Sequence, residues 1–318
     1  MQAQNAHSDE EYYKSLFATL GLSKSHLIFP VFVSDSPAVI KSMPGVAVTP
    51  LDKILKHVQS ISDSGISSII IFGIPKTRDQ IGSSAFDKKG IVQEAIREIK
   101  SCFGCTMNLT TDVCICQYNM TGHCGIISND YKIKNDDTLN ILAKIAVSHV
   151  EVGADVVAPS AMMDGQVYAI KKELHNRQLN ASILSFSAKH ASSLYTPFRS
   201  AAFSKMAARL DKLTYQVSYH NSRQALREIE TDINEGADMV MVKPALMYLD
   251  LVRQVKNRFK NYPVAVQNVS GEYAMIKAAA MRGWIDEEEW KVNTIASIKR
   301  SGADKIISYF VLDIAKYL

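Results

Sequence analysis

The sequence predicts an α/β protein built as a (β/α)8 TIM barrel preceded by an N-terminal arm. Three observations carry that reading. Eight short apolar runs recur through the 318 residues, stretches of helical periodicity separate them, and several of the helices stop on a glycine just before the next run. Near-continuous apolar strands belong to a parallel sheet covered on both faces. An open doubly wound sheet would usually hold fewer strands and a glycine-rich phosphate fingerprint, and the chain has neither GxGxxG nor a P-loop.

Residues 1–26 precede the first strand and read as the arm, polar except for a short amphipathic helix from Glu10 to Leu20. Such a segment has no place inside a barrel, so it either frays or packs on another subunit. The barrel occupies 27–318, with strands expected at Leu27 to Val33, Ser68 to Phe72, Met107 to Val113, Val156 to Ser160, Ile183 to Ala188, Met239 to Lys243, Val264 to Ser270 and Ile306 to Phe310. The helix before the second strand ends at Gly65; those before the fourth, sixth and eighth end in Gly153-Ala154-Asp155, Gly236-Ala237-Asp238 and Gly302-Ala303-Asp304. Glycine just past a helix tolerates the left-handed turn that ends it, and a short loop then feeds the next parallel strand. Ser200 to Leu213, which carries Lys205, Arg209 and Lys212 among small residues, reads as a long βα loop able to act as a lid.

Composition bounds the function. With 47% hydrophobic and 21% charged residues the chain can bury a full core. A net charge of +4 from 36 basic and 32 acidic residues spread along the chain gives no footprint for nucleic acid or an anionic membrane. No apolar run suits a spanning helix and the first residues lack the pattern of a signal peptide, so the expected location is cytoplasmic. All five cysteines fall between Cys102 and Cys124, a crowding that suits a metal site or thiol chemistry in a reducing compartment.

In this fold the active site lies at the carboxyl ends of the strands. The expected ends present Asp112, Ser160, Lys189, Lys243, Ser270 and Tyr309. Lys243 closes the apolar run Met239-Val240-Met241-Val242, and Lys189 closes Ile183 to Ala188. A lysine in an apolar pocket, or beside a second cation, loses its proton readily and becomes a nucleophile able to form a Schiff base. A pair of them points to carbonyl chemistry.

After the third strand come Cys114, Cys116 and, in the turn Gly122 to Gly125, Cys124. The CxC pair sets two thiolates on one side of an extended chain, and the turn can return a third to the same point. Three thiolates with an open fourth position describe a catalytic zinc site. His123 either replaces one thiolate or serves as a neighbouring donor. After the fifth strand, Arg199 and Lys212 are placed to hold a substrate carboxylate or else sit solvated on the loop.

Taken together, these residues resemble the porphobilinogen synthase (5-aminolevulinate dehydratase) family from about Leu27 to Leu318. The segments that carry the similarity include Ser42 to Gly45, Thr111 to Cys116, Gly122 to Gly125, Val157 to Ser160, Ser187 to Lys189, Pro197 to Arg199, Met241 to Pro244, Val269 to Met275 and Ser297 to Arg300. The resemblance implies condensation of two 5-aminolevulinate molecules to porphobilinogen with loss of two waters, in tetrapyrrole synthesis. It implies one Schiff base on Lys243 and another on Lys189. It assigns one substrate carboxylate to Ser270 and Tyr309 and the other to Arg199, Lys212 and Gln216, with Asp112 and Ser160 near the reacting amines and Tyr195 beside Lys189. Zinc on Cys114, Cys116 and Cys124, an allosteric magnesium at Glu228, and a homo-octamer with wrapping arms are implied in the same way.

The chain departs from the family pattern at Ala161 and Gln166, where an acid and a base are usual, and at Gln267, where tyrosine is usual. Thr196 and Ser200 also replace the more usual glycine and aspartate. Joint loss of an acid and a base resembles deletion of an ion pair, which costs little when both partners go. A one-lysine aldolase on the same barrel is the alternative enzyme reading, and a non-catalytic protein that kept the fold is a third. The aldolase leaves the cysteines and the second lysine unexplained.

Overall fold

A computed structural model describes residues 9–202 and 210–318. Eight parallel strands close into a barrel: β1 (Leu27–Ser34), β2 (Ser68–Ile74), β3 (Asn108–Val113), β4 (Val156–Pro159), β5 (Ser182–Lys189), β6 (Met239–Lys243), β7 (Val264–Gln267) and β8 (Lys305–Ile307). Each pairs with its neighbour in sequence, and β8 pairs back to β1 through Leu27 and Ile28. Closure leaves no sheet edge within the barrel. The helices are α1 (Asp9–Thr19), α2 (Ile54–Asp63), α3 (Ile91–Phe103), α4 (Asn135–Val150), α5 (Gln166–Asn176), α6 (Thr196–Ala201), α7 (Ser222–Glu235), α8 (Leu249–Arg258), α9 (Ser270–Ala280), α10 (Glu287–Ser301) and α11 (Val311–Ala315).

Two strands end three residues earlier than expected, and the other ends fall within two residues of expectation. Strand β7 stops at Gln267, and Ser270 opens α9, because Glu272 at the third helical position accepts the Val269 N–H at 2.6 Å and starts a helix there. Strand β8 stops at Ile307, which leaves Tyr309 in the turn before α11. A short strand, Ala47–Pro50, also pairs with β1, with Ala38–Val39 antiparallel beside it; the sequence reading placed neither. Within the described residues the arm's helix α1 packs on the chain's own barrel, with Phe17 fully buried and Tyr13 meeting Tyr317 edge-on at 5.3 Å. Lys205 and Arg209, in the expected lid, lie outside the described residues. Among the described residues no helix is long and apolar enough to cross a membrane.

The repeated Gly-Ala-Asp has a physical reason. Gly236 and Gly302 take φ of +101° and +113° and end α7 and α10 in the left-handed turn. The aspartate then reaches sideways to the start of the preceding strand. Asp155 accepts Leu109 N–H at 2.7 Å, Asp238 accepts Ile183 N–H at 2.8 Å and Asp304 accepts Val264 N–H at 2.8 Å. Each returns its own N–H to the same residue's carbonyl, at 3.0, 2.9 and 2.8 Å respectively. Lys100 and Lys256 complete two of these junctions, at 2.6 and 2.7 Å from the carboxylates. Asp304→Ala would leave a strand-opening N–H without its acceptor and is expected to cost about 1–2 kcal/mol of stability, read as a lower urea midpoint at unchanged turnover.

Candidate active site

The carboxyl ends of β3 to β6 converge on one buried pocket lined by Asp112, Cys116, Ser160, Lys189, Tyr195, Arg199, Lys212, Gln216 and Lys243, with Phe72 and Phe198. The two lysines end adjacent strands in register, Lys243 opposite Lys189. A bulge makes this possible: between Val240 and Val242 the pairing moves from Ser185 to Ala188, so β5 carries one extra residue. Without it Lys189 would fall one residue out of step and face the other side of the sheet.

Their environments differ. Lys243 Nζ lies over the rings of Phe186, Tyr195 and Phe198, 5.1, 5.2 and 5.7 Å from their centroids. Burial, and then the Lys189 charge, lower its pKa to about 7. Lys189 Nζ donates to the Ser160 carbonyl at 2.5 Å. Burial pulls its pKa down, but the charges of Cys124, Cys114, Cys116 and Asp112 outweigh that and leave it raised. The Asp112 carboxylate accepts the Ser160 hydroxyl at 2.6 Å and the Gln117 amide at 3.0 Å, and burial raises its pKa despite them.

Cys114, Cys116 and Cys124 are all buried, with their sulfurs within 4.8 Å of one another. Lys212 Nζ lies 3.9 Å from Cys124 Sγ. Hydrogen bonds from the Cys114 and Cys116 thiols, helped by Lys212 and Lys189, hold Cys124 well below the ordinary thiol range. Three buried soft donors this close together could hold a metal ion. His123 stands outside this set and shares a hydrogen bond of 3.0 Å with the Tyr215 hydroxyl, which also accepts the Cys124 N–H at 3.4 Å.

The remaining expected residues separate into three groups. Tyr195 donates to the carbonyls of His190 and Lys243 at 2.9 and 3.2 Å, and Arg199 lies over its ring at 5.6 Å. Ser270 and Tyr309 stand beside the lysine pocket rather than in its lining. Ser270 bonds Phe198 N–H and the Leu194 carbonyl, both at 3.1 Å, and the Tyr309 hydroxyl is buried without a partner among the described residues. Glu228 lines a different cavity of about 600 Å³ together with Asp164, Gln166 and Asp232. Burial, then Asp164, Asp232 and Glu235, raise its pKa.

Across residues 2–317 the sequence matches the family described as delta-aminolevulinic acid dehydratase. The chain belongs to that family. Its delta-aminolevulinic acid dehydratase relatives include one from Archaeoglobus fulgidus, 48% identical over 307 residues, which span 95% of this chain and 94% of that one. Another, from Staphylococcus epidermidis, is 46% identical over 300 residues, 93% of this chain and 92% of that one. Among solved structures, delta-aminolevulinic acid dehydratase (porphobilinogen synthase) from Toxoplasma gondii, in complex with the reaction product porphobilinogen, superposes with a TM-score of 0.91 at 36% identity, covering 100% of this chain and 92% of that one. The family's members are dehydratases of the lyase class, and this chain is an enzyme of that type.

Sequence reading overlooked Phe186 beside Lys243 and Phe72 in the pocket lining, since an apolar residue in a barrel strand reads as core, and did not single out Phe198 in α6. It also passed over Gln117, which holds Asp112. Its position directly after Cys116 was the available signal.

Proposed function

We propose that this chain condenses two molecules of 5-aminolevulinate to porphobilinogen, releasing two waters, through Schiff bases on Lys243 and Lys189. The observation that carries the reading is the pair of buried lysines in register on adjacent strands beside the thiol triad. Lys243, with its pKa near 7, supplies a free amine at neutral pH that can add to the substrate ketone; the adduct takes up a proton, expels the ketone oxygen as water and leaves an iminium. The iminium draws electrons from the neighbouring C–H, so that carbon gives up its proton and becomes a nucleophile. Lys189 treats the second substrate in the same way.

Arg199, Lys212 and Gln216 would hold the carboxylate of the Lys189-bound substrate, and Ser270 with Tyr309 that of the other. The unpartnered Tyr309 hydroxyl supports this, because a buried O–H ordinarily has a partner. Asp112, buried between Ser160 and Gln117, is suited to hold a proton near the reacting amines. Cys114, Cys116 and Cys124 would hold the metal, and zinc bound there would supply a Lewis acid and cancel thiolate charge that otherwise keeps Lys189 protonated.

The reading extends to a magnesium at Glu228, supported by the carboxylates of Asp164 and Asp232 lining the same cavity, and to a cytoplasmic homo-octamer in which residues 1–26 contact a neighbour. Size-exclusion chromatography with light scattering, with and without magnesium, tests both assembly and the Glu228 site.

The main test incubates the protein with 5-aminolevulinate and follows porphobilinogen with Ehrlich's reagent. Colour that disappears on chelation and returns with zinc is expected; none under any condition would overturn the proposal. A pH profile adds a second check. Because protonated Lys243 cannot add to the ketone, kcat/KM is expected to rise up to tenfold per pH unit below about 7 and to level off above it.

A further inference from the structure

Gln267 ends β7 as Lys243 ends β6, and the strands are paired through Val242 and Val266, so the next residues, Lys243 and Gln267, stand side by side. In-register neighbours on parallel strands point to the same side of the sheet. Lys189, Lys243 and Gln267 therefore form a row across three adjacent strands. Gln267 is 1% exposed, and its Oε1 has no hydrogen-bond partner among the described residues. A buried amide oxygen without a donor is costly, and evolution tolerates one mainly where a donor arrives later. Lys243 Nζ, for its part, lies over three aromatic faces.

We propose that Gln267 Oε1 is the acceptor for the N–H⁺ of the iminium formed on Lys243. The inference rests on the Schiff-base reading of Lys243 given above. Aromatic faces favour a cation but offer no directed acceptor; the neighbouring carboxamide supplies one, and a hydrogen bond to a charged nitrogen is about twice as strong as a neutral one. Conversion of the Lys243 amine to the iminium takes up one proton, forms C=N, breaks C–O, releases water and leaves one N–H on the nitrogen. That N–H carries a positive charge in a direction fixed by the C=N double bond, and Gln267 Oε1 is the acceptor proposed for it.

The test uses levulinate, which carries the substrate's ketone and carboxylate without its amine, trapped with borohydride over a concentration series and mapped by peptide mass spectrometry. With Gln267→Leu, half-maximal trapping on Lys243 is expected at roughly ten- to a hundredfold higher levulinate, the scale of a charge-assisted hydrogen bond. Gln267→Glu keeps an acceptor and is expected to trap at the parent concentration or below. Equal trapping by Gln267→Leu and the parent, or equal loss in both variants, would overturn the role of Gln267. Absence of any adduct on Lys243 in the parent protein would instead overturn the Schiff-base reading beneath it. Thermal unfolding of each variant identifies loss caused by misfolding, and if Gln267→Leu alone misfolds, a parental result for Gln267→Asn, which draws the amide back by one methylene, counts against the proposal.

Discussion

Lys243→Ala is expected to lower porphobilinogen formation by on the order of a thousand- to a millionfold, the range seen when a covalent nucleophile is removed from an otherwise intact site. The substitution leaves the carboxylate-binding groups and thiols in place, so substrate still enters; what disappears is the amine that adds to its ketone. A stability measurement separates this from misfolding. The native site holds Lys243 among aromatic rings and next to Lys189, which penalises its proton. Removing it relieves that penalty at neutral pH, so thermal unfolding should hold or move upward while turnover falls. A variant that keeps substantial turnover would rule out the role assigned to this lysine.

The second large effect is expected at the thiols. Cys124→Ala removes the sulfur that Lys212 approaches and that the other two thiols hold as thiolate. With two sulfurs remaining, zinc affinity should fall by about a hundredfold or more, beyond the ten- to hundredfold typical of losing an outer partner. Metal content after gel filtration gives the first readout, and Ehrlich colour against added zinc the second. One equivalent of zinc retained at undiminished affinity, with normal turnover, would exclude Cys124 as a ligand.

Much of this was legible in the chain because the relevant signals are local. Strand-terminal lysines, Gly-Ala-Asp helix stops and a CxC followed by a third cysteine are short patterns whose place in the fold follows from their immediate neighbours. The bulge in β5 was not legible: Ser185 to Ala188 reads as four ordinary strand residues, and only pairing with β6 reveals the extra one that turns Lys189 to the side of Lys243. The strand ends at Ser270 and Tyr309 were placed late for a related reason. Apolar continuity through Val269 and up to Phe310 says nothing about Glu272 opening a helix, or about a chain leaving the sheet after Ile307. Glu228 shows the limit from another direction, since its helix position gave no hint that Asp164, from the loop before α5, would share its cavity.

The sideways bonds of Asp155, Asp238 and Asp304 tie β3 to the start of β4, β5 to that of β6 and β7 to that of β8. They group six of the eight strands into three two-strand modules, each closed at its lower rim by its own reciprocal clasp; β1 and β2 share none among the described residues. New chain termini opened just before β3, β5 or β7 would leave every clasp whole, whereas termini opened between β3 and β4, β5 and β6, or β7 and β8 would split one. Circular permutants should therefore tolerate relocation of the ends in an alternating pattern from β3 to β8. That alternation follows a two-strand unit repeated three times along the chain, from β3 to β8.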